Sequence, residues 1–488
     1  MPSSQTLIRG GLVLIDNARF AEASLLIADG QITAVIDGAG PDGLPVIDAR
    51  DRIIIPGLVN GHTHSHGALG RGGVAPDATL ETFLTGASAL NGQRTTDDLR
   101  LSAELSAAEM IRKGCTACFD LSVELPGPTV AGIHAVARAY HDAGMRAVVA
   151  PMISDRTIFQ ALPGLLDAFD PPMRAALSAI TLLPWQDTLA TVHRALESWP
   201  VPATRVRPGI GPAIPLHCSN DFLTACAALA DALDLPLQTH LAETRMQQVA
   251  AQSRYGTTLT AHLDVLGLLS PRFSGAHGVW LSRDEAARLA GQGAGIVHNP
   301  LSNLRLGSGT APARALLDAG VVMGVGTDAS NTSDGQNMFE AMRLAATLSR
   351  AQAAPSDQWI TVPEAFHMAT EGSARIMGLP RTGRIAAGWT ADLLFLDRDY
   401  CHYVPLRDTL SQIVLAENGG ALREVMIDGQ IVMQDNRILT LDEARLATRA
   451  RAAAARLDTA NMQARIKAEA AATITRSFCH AACTAHHH

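Results

Sequence analysis

Hydrophobic and polar positions follow two different patterns along this chain. In the first fifty-odd residues, β-branched runs alternate with Gly and Asp-Gly turns, as in "ASLLIADGQITAVI". This pattern is typical of short strands joined by tight turns. It returns in "TADLLFLD" and "LREVMIDGQIVMQ", where Asp428-Gly429 is a hairpin signal. We therefore predict one discontinuous β-sandwich built from both chain ends, residues 1–55 and 380–437.

Between these segments, over residues 56–379, apolar strands alternate with amphipathic helices. Nine runs are candidate strands: "GLVNGHTH", "CTACFDL", "RAVVAPMI", "ITLLPW", "RVRPGIGP", "LPLQTHLAE", "FSGAHGVW", "GAGIVHNP" and "GVVMGVGTD". Repeated βα units of this length indicate a parallel sheet with right-handed crossovers. About eight units favour an α/β fold with a closed (β/α)8 TIM-like barrel over an open doubly wound sheet. One of the nine candidates is therefore expected to be wrong or to lie outside the barrel.

The last part of the chain has a helical pattern followed by a Cys/His-rich tail. "LDEARLATRARAAAARLDTANMQARIKAEAAA" predicts an Ala/Arg-rich helix that packs on the outside, and we assign residues 438–478 to this extension. The tail "CHAACTAHHH", residues 479–488, is either a metal-binding tract or a truncated purification tag. We favour a disordered or tag-like tail.

Composition and charge narrow the class of protein. The chain has 488 residues, of which 47% are hydrophobic and 18% charged, as expected for a core-rich protein with one large and one smaller domain. The net charge of −8 gives no basic surface for nucleic acid or anionic lipid. The sequence contains no apolar run long enough to span a bilayer and no signal-peptide pattern. We expect a cytoplasmic protein without a nucleic-acid or membrane partner.

The seven cysteines are scattered along the chain, which favours reduced thiols over a disulfide framework. One pair, Cys115 and Cys118, has CxxC spacing, but no second CxxC and no helix N-terminus follow it. We interpret this pair as part of a buried strand, with redox or metal binding as the less favoured alternative.

Metal-capable side chains follow several of the candidate strands at the point where each strand ends. "GLVNGHTHSHG" places His62, His64 and His66 at alternating positions, on one face of a strand. Later strand ends carry five further titratable side chains: His240, Glu243, His277, His298 and Asp328. Taken singly, each of these residues has a structural explanation: a histidine can be hydrogen-bonded in the core, and an aspartate can cap a helix. Because the carboxyl ends of barrel strands meet at one face, together they predict a site there.

The motifs "PGLVNGHTHSHG", "THLAET", "HNPLSNLRLGSG" and "GTDAS" resemble those of the amidohydrolase superfamily. The most similar branch contains S-adenosylhomocysteine/methylthioadenosine, guanine and cytosine deaminases and triazine hydrolases. The resemblance covers nearly the whole chain and includes the closing segment "GRIAAGWTADLLFLD".

The resemblance implies a ligand set and catalytic roles. Four residues would bind one divalent metal ion, zinc or alternatively Fe²⁺: His62, His64, His240 and Asp328. Glu243 would be the proton shuttle, His277 would polarise the water or the substrate, and Asp328 would also accept a proton. Binuclear members of the superfamily bridge two metals with a carboxylated lysine. Since the chain has only Lys113 and Lys467, both in predicted helices, we expect a mononuclear site.

The residue types support this chemistry independently. Zinc held by neutral imidazoles and a carboxylate keeps a position for water and lowers its pKa towards about 7. Hydroxide can then attack an electron-poor ring carbon, and a general acid must protonate the ring nitrogen and the departing amine. Glu243, three residues after His240, is placed for this proton transfer.

Candidate substrate contacts lie in loops that follow the strands. They are His66, Arg71, Phe83, Asp155, Arg156, Phe159 and His298. His66 could instead support its neighbours or be solvated, and His298 could bond a ring carbonyl or only orient neighbouring groups.

Three functions remain open at this point. The favoured one is deamination of a small N-heterocycle such as a purine, pyrimidine, pterin or triazine. The second is hydrolysis of another bond, C–Cl or a urea or amide C–N bond, of a small aromatic compound. The third is a non-catalytic metal-binding scaffold. The resemblance also implies a homodimer or a larger homo-oligomer.

Overall fold

Two kinds of β-sheet organise the computed structural model, which describes residues 5–16, 18–352 and 355–485. In chain order the strands are β1 Thr6–Arg9, β2 Leu12–Asp16, β3 Arg19–Ala28, β4 Gln31–Asp37, β5 Val46–Asp48, β6 Arg52–Pro56, β7 Leu58–Thr63, β8 Cys115–Ser122, β9 Arg146–Ile153, β10 Val206–Pro208, β11 Gly211–Pro212, β12 Leu237–Leu241, β13 Phe273–His277, β14 Gly295–His298, β15 Val322–Val325, β16 Leu393–Asp397, β17 Leu422–Ile427, β18 Gln430–Gln434 and β19 Arg437–Ile438.

Helices connect most of the strands in the middle of the chain. They are α1 Leu80–Thr85, α2 Ala87–Asn91, α3 Thr96–Arg112, α4 Val130–Asp142, α5 Ile158–Ala161, α6 Pro171–Ser178, α7 Trp185–Glu197, α8 Asn220–Ala232, α9 Arg245–Tyr255, α10 Leu259–Val265, α11 Arg283–Gly291, α12 Pro300–Arg305, α13 Ala313–Asp318, α14 Met338–Gln352, α15 Val362–His367, α16 Ser373–Ile376, α17 Thr409–Ala416, α18 Glu443–Ala460 and α19 Met462–Ala485. A π-helical turn, Met368–Gly372, joins α15 to α16.

A mixed sheet contains strands from both ends of the chain. Its order is β19-β18-β17-β16-β6-β2-β3-β1-β5, and β4 pairs with β3. The two ends meet where β16 pairs antiparallel with β6. The predicted hairpin at Asp428-Gly429 is confirmed: both residues have positive φ, 56° and 74°, and they join β17 to β18. Asp and Gly tolerate this left-handed turn, which matches the twist of the strands.

The middle of the chain forms two curled parallel sheets within a mixed α/β fold. One has the order β10-β9-β8-β7, with β11 also paired to β9, and the other is β12-β13-β14-β15. Backbone hydrogen bonds join the two sheets at both edges. Gln238 N donates to Ile210 O at 3.0 Å, and Asp328 N donates to His62 O at 3.0 Å.

One candidate strand is wrong and another is interrupted. "ITLLPW" is an extended segment without sheet partners that leads into α7 at Trp185. Pro184 disfavours strand pairing, and the apolar side chains of this segment face a cavity and solvent rather than a core. "RVRPGIGP" forms the two short strands β10 and β11, since Pro208 and Pro212 have no N–H to donate.

Side-chain alternation along the parallel strands separates an inner core from an outer one. Along β8, Phe119 and Leu121 join an inner cluster that also contains Met377, whereas Cys118 packs in the outer cluster beneath the helices. The pair Cys115 and Cys118 is fully buried in β8, as predicted, and burial raises the pKa of the Cys115 thiol to about 12. A thiol held protonated in this way is a poor nucleophile for redox chemistry and a poor metal ligand.

The C-terminal extension differs from the prediction in two ways. It forms two helices, α18 and α19, and α19 continues to Ala485 with Cys479 only 8% exposed. A disordered tail from residue 479 is therefore wrong for residues 479–485, because tertiary packing orders this segment. His486 to His488, on which the tag interpretation rests, lie outside the described residues. None of the described helices is long and apolar enough to cross a membrane.

Candidate active site

Four of the predicted residues bring their side chains together at the carboxyl ends of the parallel strands. His62 lies in β7, and His64 follows directly after its last residue in an extended conformation. Asp328 Oδ1 lies 3.6 Å from His62 Nε2 and 3.2 Å from His64 Nε2. His240, from β12, places its Nε2 atom 3.1 Å from His64 Nε2. Residues about 180 to 260 positions apart in sequence thus face one point.

Hydrogen bonds at Nδ1 fix the tautomer of each of these three histidines. His64 Nδ1 donates to Leu121 O at 2.7 Å, and His240 Nδ1 donates to Ala213 O. His62 Nδ1 donates to Gln238 Oε1 at 2.7 Å, and the amide of Gln238 is oriented by its own bonds to Gly61 O and Ser274. A proton on Nδ1 leaves the lone pair on Nε2, which is the form that binds a metal.

His66 has the opposite tautomer. Val123 N donates to His66 Nδ1 at 3.2 Å, so in the neutral ring the proton sits on Nε2. His66 therefore presents a hydrogen-bond donor, whereas His62 and His64 present acceptors. The three alternating histidines thus divide into two candidate ligands and one candidate donor.

Glu243 and His277 lie beside this cluster. Glu243 Oε1 is 3.7 Å from His277 Nε2, and both side chains are buried. His277 Nδ1 donates to Asn303 Oδ1 at 2.8 Å, which leaves its Nε2 lone pair directed towards the cluster. Hence Glu243 and His277 can exchange a proton with a group bound between them.

Several buried polar atoms at the site have no protein partner, which is uncommon in a folded chain. They are Nε2 of His62, Nε2 of His277 and Oε2 of Glu243. Ligand atoms of His62, His64 and His240 lie within 4.8 Å of one another, as do those of His62, His277 and Asp328. Imidazole nitrogens and one carboxylate are a donor set that suits zinc. The residues present therefore fit a divalent metal.

Burial and neighbouring charges set the protonation of the site. Burial lowers the pKa of His64 to about 4 and that of His277 to about 3, so both rings are neutral at pH 7. Burial, with the charges of Asp328 and Glu81, raises the pKa of Glu243 well above its usual range. Burial alone would raise the pKa of Asp328, but the nearby imidazoles of His62, His64 and His277 hold it well below the usual value.

Backbone strain coincides with the site. His277 has φ 77° and Asp328 has φ 63°, in the left-handed region that residues other than glycine rarely adopt. Such conformations persist where the surrounding structure enforces them, often at functional sites. Here they turn each side chain inward at the end of its strand.

A cavity of about 190 Å³ opens onto the cluster. His64, His240, Glu243 and Asp328 lie at its buried end, and four predicted substrate residues line it: His66, Phe83, Arg156 and Phe159. A larger cavity of about 400 Å³ lies elsewhere, between the mixed sheet and α15, and contains none of the predicted site residues. The smaller cavity is the candidate active site because it holds the titratable cluster.

Three predicted substrate residues do not line this cavity. The Arg71 side chain forms an ion pair with Glu109 and is partly exposed. Asp155 accepts hydrogen bonds from Ser219 N and Oγ at the start of α8. His298 is buried at the end of β14, and burial lowers its pKa to about 4. Sequence position after a strand did not distinguish such supporting residues from cavity-facing ones.

Sequence reasoning also missed residues at the site. His217, in "IPLHCS", lines the cavity, and burial lowers its pKa to about 4. It follows the interrupted strand β11, so a search of strand ends could have found it. Gln238 and Asn303 orient His62 and His277, and Gln238 shares the β12 strand with His240 at a spacing of two. Their roles depend on cross-strand contacts that the sequence does not show.

Comparison with known proteins places the chain among hydrolases. The model of the "Amidohydrolase family" matches residues 53–432. A 5-methylthioadenosine/S-adenosylhomocysteine deaminase of Haloarcula marismortui is 34% identical over 93% of this chain and 98% of its own length. The structure of an adenosine deaminase from Xanthomonas campestris with bound zinc is 28% identical, with a TM-score of 0.81 over 93% and 98% of the two chains. An atrazine chlorohydrolase from Arthrobacter aurescens with zinc is 27% identical, with a TM-score of 0.80 over 92% and 100%.

Proposed function

Because the chain belongs to the amidohydrolase family, we propose that it is a metal-dependent hydrolase that deaminates a small aminated N-heterocycle and releases ammonia. The observation that supports this most directly is the buried cluster of His62, His64, His240 and Asp328 with Glu243 and His277 beside it. The relatives named as deaminases support the same reaction.

The proposal includes the architecture. We propose that the two parallel sheets close into a (β/α)8 barrel over residues 56–379 and that the mixed sheet is a sandwich domain from residues 1–55 and 380–437. The hydrogen bonds from Gln238 to Ile210 and from Asp328 to His62, at opposite edges of the sheets, support the closure.

His62, His64, His240 and Asp328 would hold one divalent metal, zinc by analogy with the zinc-containing neighbours, with Fe²⁺ as the alternative. Such an ion, when bound, makes water nucleophilic near neutral pH and polarises the substrate. The Nδ1 hydrogen bonds hold the three imidazoles in the tautomer that leaves Nε2 free to bind a metal. Lys113 and Lys467, the only lysines, do not line the cavity, in keeping with a single ion.

Glu243 would act as the proton shuttle. Its raised pKa favours the protonated carboxyl, and Oε2, which has no hydrogen-bond partner in the protein, could deliver that proton to a ring nitrogen. Asp328, with its lowered pKa, would remain ionised and accept a proton from the attacking water. His277 Nε2, neutral and without a protein partner, would accept a hydrogen bond from the same water and orient it.

The cavity residues would position the heterocycle. The Nε2–H of His66 can donate to a ring nitrogen or carbonyl oxygen, and Arg156 adds a cation whose Nη1 donates to Cys218 O at 3.3 Å. Phe83 and Phe159 offer apolar contact with a flat ring.

A second candidate reaction is removal of chloride or an alkylamine from the same kind of ring. The structural similarity to an atrazine chlorohydrolase supports this second reaction as the alternative. Both reactions need attack on an electron-poor carbon, but deamination also requires protonation of the leaving amine, which Glu243 can supply. Measuring ammonia, chloride and alkylamine release over one panel of compounds separates them.

Conservative substitutions of the proposed acid, Glu243, and the proposed base, Asp328, test the deaminase mechanism. With the zinc-loaded protein, Glu243→Gln and Asp328→Asn should each lower kcat at least about a thousandfold, since a proton transfer and its electrostatic partner are removed. Metal content, measured by mass spectrometry, should be kept in Glu243→Gln. Wild-type turnover in either variant would contradict the mechanism, and no turnover by the wild type on any heterocycle would favour a non-catalytic scaffold.

A further inference from the structure

The walls of the candidate cavity select against a sugar. We propose that the heterocycle carries an apolar alkyl or aryl substituent in place of a ribose, and that Ile180 and Leu182 at the cavity mouth contact it. This inference rests on the proposed deaminase function and names the substrate class more closely.

Large apolar side chains make up most of the lining beyond the metal-binding end. They include Leu80, Phe83, Leu125, Phe159, Ile180 and Leu182. Burial of an apolar substituent against such a wall is favourable in proportion to the area removed from water. A sugar hydroxyl in the same place loses its water without gaining a partner.

Carboxylate acceptors for a vicinal diol are scarce in this cavity, whose lining also has the neutral polar side chains of Ser88, Ser154 and His217. Among the described lining residues the carboxylates are Glu243 and Asp328, which belong to the proposed metal centre. Two other acidic groups near the lining are turned to other partners: Glu81 accepts from Thr244 Oγ1 at 2.6 Å, and Asp155 accepts from Ser219.

Three threonine hydroxyls of the lining are also engaged within the protein. Thr85 Oγ1 donates to Thr82 O at 2.6 Å, Thr157 to Gln160 Oε1 at 3.3 Å and Thr332 to Ala329 O at 3.3 Å. Each of these hydroxyls has used its one proton, so none of them can donate to a ribose oxygen without giving up its bond within the protein.

The mouth of the cavity shows where the substituent would lie. Ile180 and Leu182 belong to the extended segment between α6 and α7, and Ile180 is 38% exposed although it lines the cavity. Leu183 of the same segment packs against residue 127, where a Cβ on Gly127 would come within 2.5 Å of Leu183 Cδ1. Leu183 therefore holds the segment in place, while Ile180 and Leu182 offer an apolar surface that a substituent would cover.

The proposed substrate class differs from the substrates for which the sequence relatives are named. The Haloarcula relative is named for adenosine derivatives, whose ribose carries two vicinal hydroxyls. Each hydroxyl buried here without a partner should lower kcat/KM by about tenfold or more.

Matched substrate pairs test the inference. The zinc-loaded full-length protein is assayed for ammonia release from adenosine and 9-cyclopentyladenine, from cytidine and 1-cyclopentylcytosine, and from melamine and N-cyclopropylmelamine. Within the pairs that react, the compound with the hydrocarbon ring should have the higher kcat/KM, by at least about tenfold where its partner is a nucleoside. A nucleoside turned over as well as its cyclopentyl partner would overturn the inference and leave the deaminase proposal standing.

Binding separates failure of the inference from failure of the proposed function. If no compound releases ammonia, the deaminase proposal fails, and calorimetry on zinc-loaded Glu243→Gln still compares the two members of each pair. Tighter binding of the cyclopentyl compounds would support the apolar subsite. Equal or weaker binding, or no binding of any of them, would overturn it.

Substitutions at the mouth test the named residues. Ile180→Asn and Leu182→Asn should each reduce the preference for the cyclopentyl compound several-fold, mainly through KM. Leu233→Asn is the matched control, since Leu233 follows α8, has a similar exposed fraction, 43%, and does not line the cavity. An equal change in the control, or none in Ile180→Asn and Leu182→Asn, would contradict the assignment.

Discussion

At the scale of single residues, the site depends on which nitrogen of each histidine carries the proton. The ligating form of His62 is set by Gln238, whose Oε1 accepts from Nδ1 at 2.7 Å and whose amide is itself held by two further bonds. A partner of this kind orients the ring and raises its basicity, so Gln238 would act on the proposed metal without contacting it.

Gln238→Met should weaken zinc binding by about 10–100-fold, because it keeps the side-chain volume but removes the acceptor for His62 Nδ1–H. Competition with a chromogenic chelator measures the affinity. Gln336→Met is the control, since Gln336 is also fully buried but bonds Thr63 and Ser106 rather than a histidine. Equal losses in both variants would show a general packing effect and contradict the proposed role.

At the scale of elements, α1 connects the cavity to the C-terminal extension. Leu80, Phe83 and Leu84 of α1 line the cavity, while α19 packs on the outside of the same segment. Arg476 Nη1 of α19 lies 3.0 Å from Asp77, just before α1, and Ala471 on the same helix is 1% exposed. The C-terminal helix thus supports a wall of the cavity from behind.

Ala471→Asp should destabilise this support, because it buries a carboxylate without a partner. We expect a loss of about 2 kcal/mol or more in the free energy of unfolding, together with faster amide hydrogen exchange in residues 80–85. Urea denaturation and exchange mass spectrometry measure the two effects. Ala470→Asp, at an exposed position of the same helix, is the control and should change neither the free energy of unfolding nor the exchange rates. Unchanged exchange in α1 upon Ala471→Asp would contradict the role of α19 in supporting α1.

At the scale of the whole molecule, one buried arginine ties the parallel sheets to the mixed sheet. Arg146, at the start of β9, donates to Asp392 Oδ2 at 2.7 Å and to Asp428 Oδ1 at 2.6 Å. Asp428 also accepts from Arg205 at 3.0 Å, and Asp428 N donates to Asp392. The hairpin residue Asp428 therefore serves both as a turn former and as an ion-pair partner between the two parts of the chain.

Arg146→Met should lower the free energy of unfolding by about 3–5 kcal/mol, because it leaves Asp392 buried without a counterion. Arg398→Met is the matched control: Arg398 pairs with Glu22 at 2.7 Å but both side chains are largely exposed, so the loss should stay below about 1 kcal/mol. Urea denaturation of both variants gives the comparison. Similar losses would mean that burial does not set the strength of the Arg146 network.

The sequence by itself determined the parallel βα pattern, the hairpin at Asp428 and the family, because period, turn chemistry and motif spacing are local properties. The same local signals wrongly predicted a strand at "ITLLPW", whose apolar residues face a cavity. They also wrongly predicted disorder at residues 479–485, which belong to α19 and are ordered by packing. Only the tertiary structure showed that His66 is a donor while its neighbours His62 and His64 are acceptors. A tautomer depends on the group that faces the ring, and those groups come from other strands.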